Sequence, residues 1–209
     1  MDNPWLEIPA ADYEGHMAAP EVGQLQALNL LFKTTLERYR PHSVAVLGCC
    51  TGNGFEHIDG AVTRRVLGID INGAYLDVLR ERHSSKIDGL EIFQHDIAQA
   101  PVPAPPVDLL FGALVFEYLP IAEAWRNLRA LVRRDGILIA ALQMPSDHSS
   151  TITETGYESL KKLAPIMNLV DPEEFGHFAG ENGFRELRAD DIPLKQGKRL
   201  FVGYYVNSA

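Results

Sequence analysis

For its size, this sequence has little positive charge. Lys and Arg total 19 against 28 Asp and Glu, so the formal net charge is −9. Nucleic acids and anionic membrane surfaces are gripped by clustered cations, and the shortage argues against both as partners. Cysteine is scarce too, with Cys49 and Cys50 the only two. Neighbouring cysteines rarely close an unstrained disulfide. Without Cys-x-x-Cys spacing, and with the histidines scattered, no metal site is expected. No apolar run approaches the roughly 20 residues of a membrane span. The N-terminal MDNPWLEIPAADYEGHM has neither the basic start nor the apolar core of a signal peptide. These absences predict a soluble, cytoplasmic protein.

What is present is ordinary globular material: 209 residues, 46% of them apolar, enough for one domain with a core. Pro20-Glu21 can open a helix carrying Leu25, Leu28, Phe32 and Leu36 at helical spacing, which Pro41 ends. From there short apolar runs alternate with helical patterns. Strands are expected at 44–48, 66–71, 90–97, 107–114 and 137–142, with two more near 184–188 and 200–206. Helices are expected at 55–62, after a cap at Asn72, at 120–134, near the end of the polar stretch PSDHSSTITETGYES, and from Asp171 to Gly183. The prolines at 101–106 stand where another helix would fit. The alternation predicts an α/β fold with a largely parallel sheet and helices on both faces. It is read as one domain in three parts: an arm and helix (1–40), a core (41–145) and a C-terminal segment with the last strands (146–209).

In such sheets ligands bind beyond the carboxyl ends of the strands, so the loop in SVAVLGCCTGNG, residues 43–54, draws notice first. A dinucleotide fingerprint, G-x-G-x-x-G, fails from Gly48 at Cys50 and from Gly52 at His57. No Gly-Lys-Ser/Thr follows for a phosphate loop. An NAD-dependent oxidoreductase is therefore disfavoured. What stands is G-x-x-x-G-x-G, with Asp70 at the end of the second strand. A carboxylate there can accept both hydroxyls of a ribose and would repel a ribose phosphate.

VAVLGCCTGNG, VLGIDI, FQHDI, VDLLFGALVFEYL and LRALVRRDGILIAAL, in that order over residues 40–145, resemble the successive motifs of class I S-adenosylmethionine-dependent methyltransferases. The resemblance implies a Rossmann-like seven-stranded sheet with its last strand antiparallel, and S-adenosylmethionine as cofactor. It implies that the loop residues Gly48, Cys50, Gly52, Asn53 and Gly54 pass the methionine part of the cofactor. Asp70 would take the ribose hydroxyls and Ile71 would pack on the adenine. Asp96 would accept the adenine amino group, Ile97 would offer its amide, and Ala113 and Leu114 would flank the methionyl end. Two positions depart from the family pattern. Val46 stands where an acidic residue is usual, and Cys50 where glycine is. A small side chain at Cys50 is tolerated if its φ is negative, and as a buried thiol with no base in sight it is not read as a nucleophile.

The arm leaves two readings open. Tyr13, His16 and Met17 either belong to a frayed end or fold over the cofactor as a lid. Glu117 and Tyr118 follow the fourth strand, where the family often places acceptor-side residues, and a polar rim is the slightly preferred reading. With His16 they are the only catalytic candidates. The segment 149–155 is either a linker or part of an acceptor pocket. The function expected is methyl transfer to a small molecule, since no second domain is present to grip a macromolecule. The alternative is a protein that binds S-adenosylmethionine or its demethylated product without transferring anything.

Overall fold

A computed structural model describes residues 3–146 and 150–209. Ser149, at the start of the undecided stretch, lies outside the described residues. The strands are β1 (Ser43–Leu47), β2 (Arg65–Asp70), β3 (Leu90–Gln94), β4 (Val107–Ala113), β5 (Val132–Gln143), β6 (Phe184–Pro193) and β7 (Arg199–Asn207). They form one seven-stranded sheet in the order β3-β2-β1-β4-β5-β7-β6. Strands β1 to β5 pair in parallel, and β7 runs antiparallel to both β5 and β6. This is the Rossmann-like α/β sheet that the sequence predicts. The chain moves outward from β1 to β3, then returns to start β4 on the other side of β1. The crevice where ligands bind such sheets therefore opens between β1 and β4.

The helices are α1 (Ala10–Ala18), α2 (Gln24–Tyr39), α3 (Gly73–His83), α4 (Ile121–Leu131) and α5 (Pro172–Glu181). Leu28, Phe32 and Leu36 of α2 and Leu76 and Leu79 of α3 cover one face of the sheet. Trp125, Leu128 and Leu131 of α4 and Phe175 of α5 cover the other. Each large side chain so buried contributes about 1.5–3 kcal/mol. Covered on both sides, β1 reads as the unbroken apolar run VAVL. Among the described residues no helix is long and apolar enough to cross a membrane.

Several local expectations are corrected. The first long helix starts at Gln24 rather than Pro20, because Gly23, with φ 65°, ends a turn in which Val22 and Gly23 donate to the Ala19 carbonyl. The helix expected at 55–62 is one 3-10 turn, Phe55–His57. Beyond it the Asp59 side chain accepts from Ala61 N, and such local bonds compete with helix. Helix α4 stops at Leu131, since Val132 already pairs with Val107; the bend at Asp135-Gly136 falls inside β5. Strand β3 ends at Gln94 rather than 97, where Asp96 bonds Ala98 N and starts a turn. The arm is folded, as a 3-10 turn (Pro4–Glu7) followed by α1.

Candidate functional site

A cavity of about 580 Å³ lies at the carboxyl ends of β1, β2, β4 and β5, within the size range of small-molecule sites. The arm and residues 151–167 form its other walls.

The loop after β1 reaches the cavity through Gly48 and Cys50 only. Gly48 has φ 65°, and a Cβ there would meet Val115 Cγ2 at 2.9 Å, so both the backbone and the space demand glycine. Cys50 has φ 48°, so the negative φ that would make a side chain there easy to tolerate is not found. A left-handed L-residue costs roughly 1–2 kcal/mol. Here the strain is held by the Cys50 N–H, which donates to Asp70 Oδ2 at 2.9 Å. Burial first, then the Asp70 charge, pushes the Cys50 thiol well up, so it stays protonated and is no nucleophile. Cys50→Gly is therefore expected to leave thermal stability within about 1 kcal/mol, relief of φ strain offsetting lost chain restriction. Ligand affinity should stay within a few-fold. Cys50→Val puts a β-branched side chain at this φ, where it is doubly unsuited, and should lose both by calorimetry. A glycine variant that cannot bind would show that the thiol has a role of its own.

Asp70 is buried at the tip of β2, and its other oxygen accepts from Asn72 N at 2.9 Å. A carboxylate has about four acceptor sites, so those two bonds leave room for donors from the cavity. Burial raises its pKa. Ile71, Ile97 and Asp96 follow along the same wall. Asp96 Oδ1 accepts from Ala98 N at 2.9 Å and its Oδ2 from Gln99 Nε2 at 2.8 Å. Ala113 and Leu114 line the cavity from the end of β4. Leu114 also has positive φ, 54°, and its N–H reaches the Ala141 carbonyl at 2.9 Å, which fixes β4 against β5.

Four candidates lie off the cavity wall. Gly52 and Gly54 pack behind the loop, where a Cβ would meet the His83 ring at 3.0 Å or the Phe32 ring at 2.9 Å. Asn53 ties the loop to α2, donating to the Leu25 carbonyl at 2.9 Å. Glu117 is wholly buried behind Gln143, whose N–H donates to its Oε1 at 2.6 Å, while Oε2 has no partner. Burial lifts this carboxyl to about 7. One oxygen of this carboxyl thus holds the Gln143 backbone. Tyr118 does line the cavity, edge-on to Trp5 at 5.0 Å, with its phenol raised by burial.

Tyr13, His16 and Met17 all reach the cavity from α1. The Tyr13 ring lies 5.5 Å from that of Tyr75, and His16 Nδ1 is 2.9 Å from Thr155 Oγ1. Burial, and next the charge of Lys198, hold His16 below its usual pKa. Glu14 joins Arg82 and accepts from Thr51 at 2.5 Å, and Asn72 Nδ2 donates to the Trp5 carbonyl at 2.8 Å. Trp5, Gln24, Gln143 and Lys198 line the cavity too and were missed, while Thr151 to Thr153, from the stretch read as linker or pocket, lie on its wall. Gln143 could have been found from its place at a strand end, but Lys198 sits in a hairpin whose sequence reads as surface. Val46 is buried in the sheet against the α2 face, so no carboxylate stands at that position.

A family model described as a methyltransferase domain matches residues 45–140. No curated protein matches. Among solved structures, the N-methyltransferase NodS from Bradyrhizobium japonicum WM9, in complex with S-adenosyl-L-homocysteine, is similar with TM-score 0.70 at 15% identity, covering 100% of both chains. Geranyl diphosphate C-methyltransferase from Streptomyces coelicolor A3(2), with Mg2+, geranyl diphosphate and S-adenosyl-L-homocysteine, is similar with TM-score 0.65 at 10% identity, covering 89% of this chain and 82% of that one. The cyclase SpnF is similar with TM-score 0.67 at 11% identity, covering 87% and 82%. At these identities the structures show the fold alone. The resemblance to class I methyltransferases drawn from the sequence is borne out.

Proposed function

We propose, for a chain with the class I S-adenosylmethionine-dependent methyltransferase fold, that it transfers a methyl group from S-adenosylmethionine to a small molecule. The observation that carries this reading is Asp70, at the tip of β2 beside the crevice, bonded to the Cys50 amide of the loop that needs glycine at Gly48. That is an acceptor for ribose hydroxyls next to a close-approach loop. Ile71 would pack on the adenine, the Ile97 amide would face a ring nitrogen, and Asp96 would accept the amino group. Ala113 and Leu114 would flank the methionyl end, and Tyr13 and Met17 would cover it. Bound S-adenosylmethionine would supply an electrophilic methyl on a sulfonium. The chain's own work is to align an acceptor lone pair opposite the breaking carbon–sulfur bond and to exclude water. Tyr118 and His16 line the cavity and could hydrogen-bond an acceptor.

We read residues 1–40, 41–145 and 146–209 as parts of one domain, with the arm as a lid. Titration with S-adenosylhomocysteine should stabilise the protein by about 2.7 kcal/mol at one hundred times its dissociation constant, and amide exchange in residues 4–18 should slow. NAD and ATP should do neither. A larger thermal shift with NAD would end the cofactor reading, and an arm equally protected with and without ligand would end the lid. Binding without transfer is the second reading, favoured by Glu117 standing off the cavity and by a similar fold in a protein described as a cyclase. Release of S-adenosylhomocysteine from S-adenosylmethionine in an acceptor screen decides between them.

A further inference from the structure

Lys198 follows the 3-10 turn Lys195–Gly197 of the β6–β7 hairpin, yet its side chain runs inward and is 5% exposed on the cavity wall. Its ammonium donates to Thr153 Oγ1 at 2.7 Å and to the Thr151 carbonyl at 3.3 Å. Among the described residues every ion pair is made by other groups. A buried ammonium normally has a carboxylate beside it, because its desolvation is otherwise uncompensated. Here two neutral oxygens take two of its three N–H groups.

The charges of the wall are divided. Asp70, Asp96 and Glu123 belong to β2, the turn after β3, and α4; Lys198 and His16 stand with Gln24 and Gln143 on the β5–β7 side. Apolar Ile152, Leu160, Leu163 and Met167 line the cavity as well, the first three clustered with Trp5, Tyr13 and Tyr118. Gln143 Nε2 donates to the same Thr151 carbonyl at 2.6 Å, so the ammonium lies by the end of β5. From Asp70 to the end of β5 is three strand spacings, about 14 Å. The nine bonds from a ribose hydroxyl to the methionine carboxylate of the cofactor span about 11 Å when extended. With a hydrogen bond of about 2.8 Å at each end, a fully stretched cofactor would just reach the ammonium; its methionyl end is read instead at Gly48, Ala113 and Leu114, at the ends of β1 and β4, one strand short of β5.

Resting on the cofactor reading above, we propose that Lys198 anchors an anionic group, a carboxylate or phosphate, of a methyl acceptor whose body is apolar. The protein is first loaded with S-adenosylhomocysteine, and its affinity measured by calorimetry. Failure at this step refutes the cofactor reading and this proposal with it, before any acceptor probe is added. Octanoate, 3-phenylpropionate and phenyl phosphate are then titrated beside octanamide and 3-phenylpropionamide. At least one anion should bind tenfold or more tighter than the amides. Lys198→Met should erase that preference, raise the melting temperature by removing an unpaired buried charge, and keep S-adenosylhomocysteine affinity within threefold. Anions binding no better than amides in the wild-type protein, or not at all, would overturn the proposal without recourse to the variant. So would a variant that loses tenfold or more in S-adenosylhomocysteine affinity but none for 5′-methylthioadenosine, since Lys198 would then serve the cofactor's carboxylate.

Discussion

Asp70→Ala is expected to weaken S-adenosylhomocysteine binding by about 1.5–3 kcal/mol, roughly ten- to 150-fold. Hydrogen bonds to a charged group are the strong ones, and two ribose hydroxyls lose their acceptor together. The substitution also strands two amides, since Cys50 N and Asn72 N both donate to this carboxylate at 2.9 Å. The fold should therefore lose stability as well, and affinity must be read well below the variant's melting temperature. Asp70→Asn separates the two roles. It keeps a side-chain oxygen for one of the amides but loses the charge and turns a donor toward the other, so it should melt between wild type and alanine while still binding weakly. If calorimetry gives unchanged affinity in both variants, the carboxylate only pins the loop and caps the turn into α3, and the ribose assignment is lost.

The sheet was legible because a strand buried on both faces is mostly apolar, as in β1, β2, β4 and the second half of β5, while the half-buried β3, LEIFQ, shows a weaker signal. The Asn72 and Asp171 caps were legible for the same local reason: an oxygen one residue before a helix finds free amides, as both do here. Asp70 and Gly48 stood out because strand ends in this topology face the crevice. The rest depended on tertiary placement. Nothing local could show that the loop turns behind α2 after Cys50, so Gly52, Asn53 and Gly54 serve packing. Nor could spacing show Cys50 in the left-handed region, because the Asp70 bond that holds it there spans 20 residues. The arm looked irregular because its larger apolar residues, Trp5, Leu6, Ile8, Tyr13 and Met17, follow no sustained helical or strand period. Its contacts run to distant segments: Ile8 packs on Leu160 and Leu163, Glu7 bonds Lys162 at 2.6 Å, Asp12 bonds Ser159 at 2.6 Å, and Glu14 pairs with Arg82.

Glu117→Gln is expected to stabilise the protein at pH 8 by roughly 3 kcal/mol and at pH 5 by under about 1 kcal/mol. The carboxyl titrates near its ordinary 4.5 when unfolded and at about 7 in the folded chain, because it is buried with Oε2 unpartnered. The folded state therefore binds this proton more tightly. The stabilisation is fully present below about pH 4.5 and is lost as pH rises through about 7, a tenfold difference in proton affinity being worth about 1.4 kcal/mol. A neutral glutamine keeps an oxygen for Gln143 N and has no charge to bury, so its stability lacks that loss. Asp70, also raised by burial, bends both curves in the same sense, while His16 and His83, lowered by burial, bend them the other way. The difference between wild-type and variant melting curves from pH 5 to 8 isolates Glu117, and a constant difference would refute the assignment. Because Glu117 holds the backbone of Gln143, whose side chain bonds Gln24 at 3.0 Å in the cavity wall, S-adenosylhomocysteine affinity should survive the exchange. Loss of binding in a variant that melts higher would instead place this carboxylate in the working site.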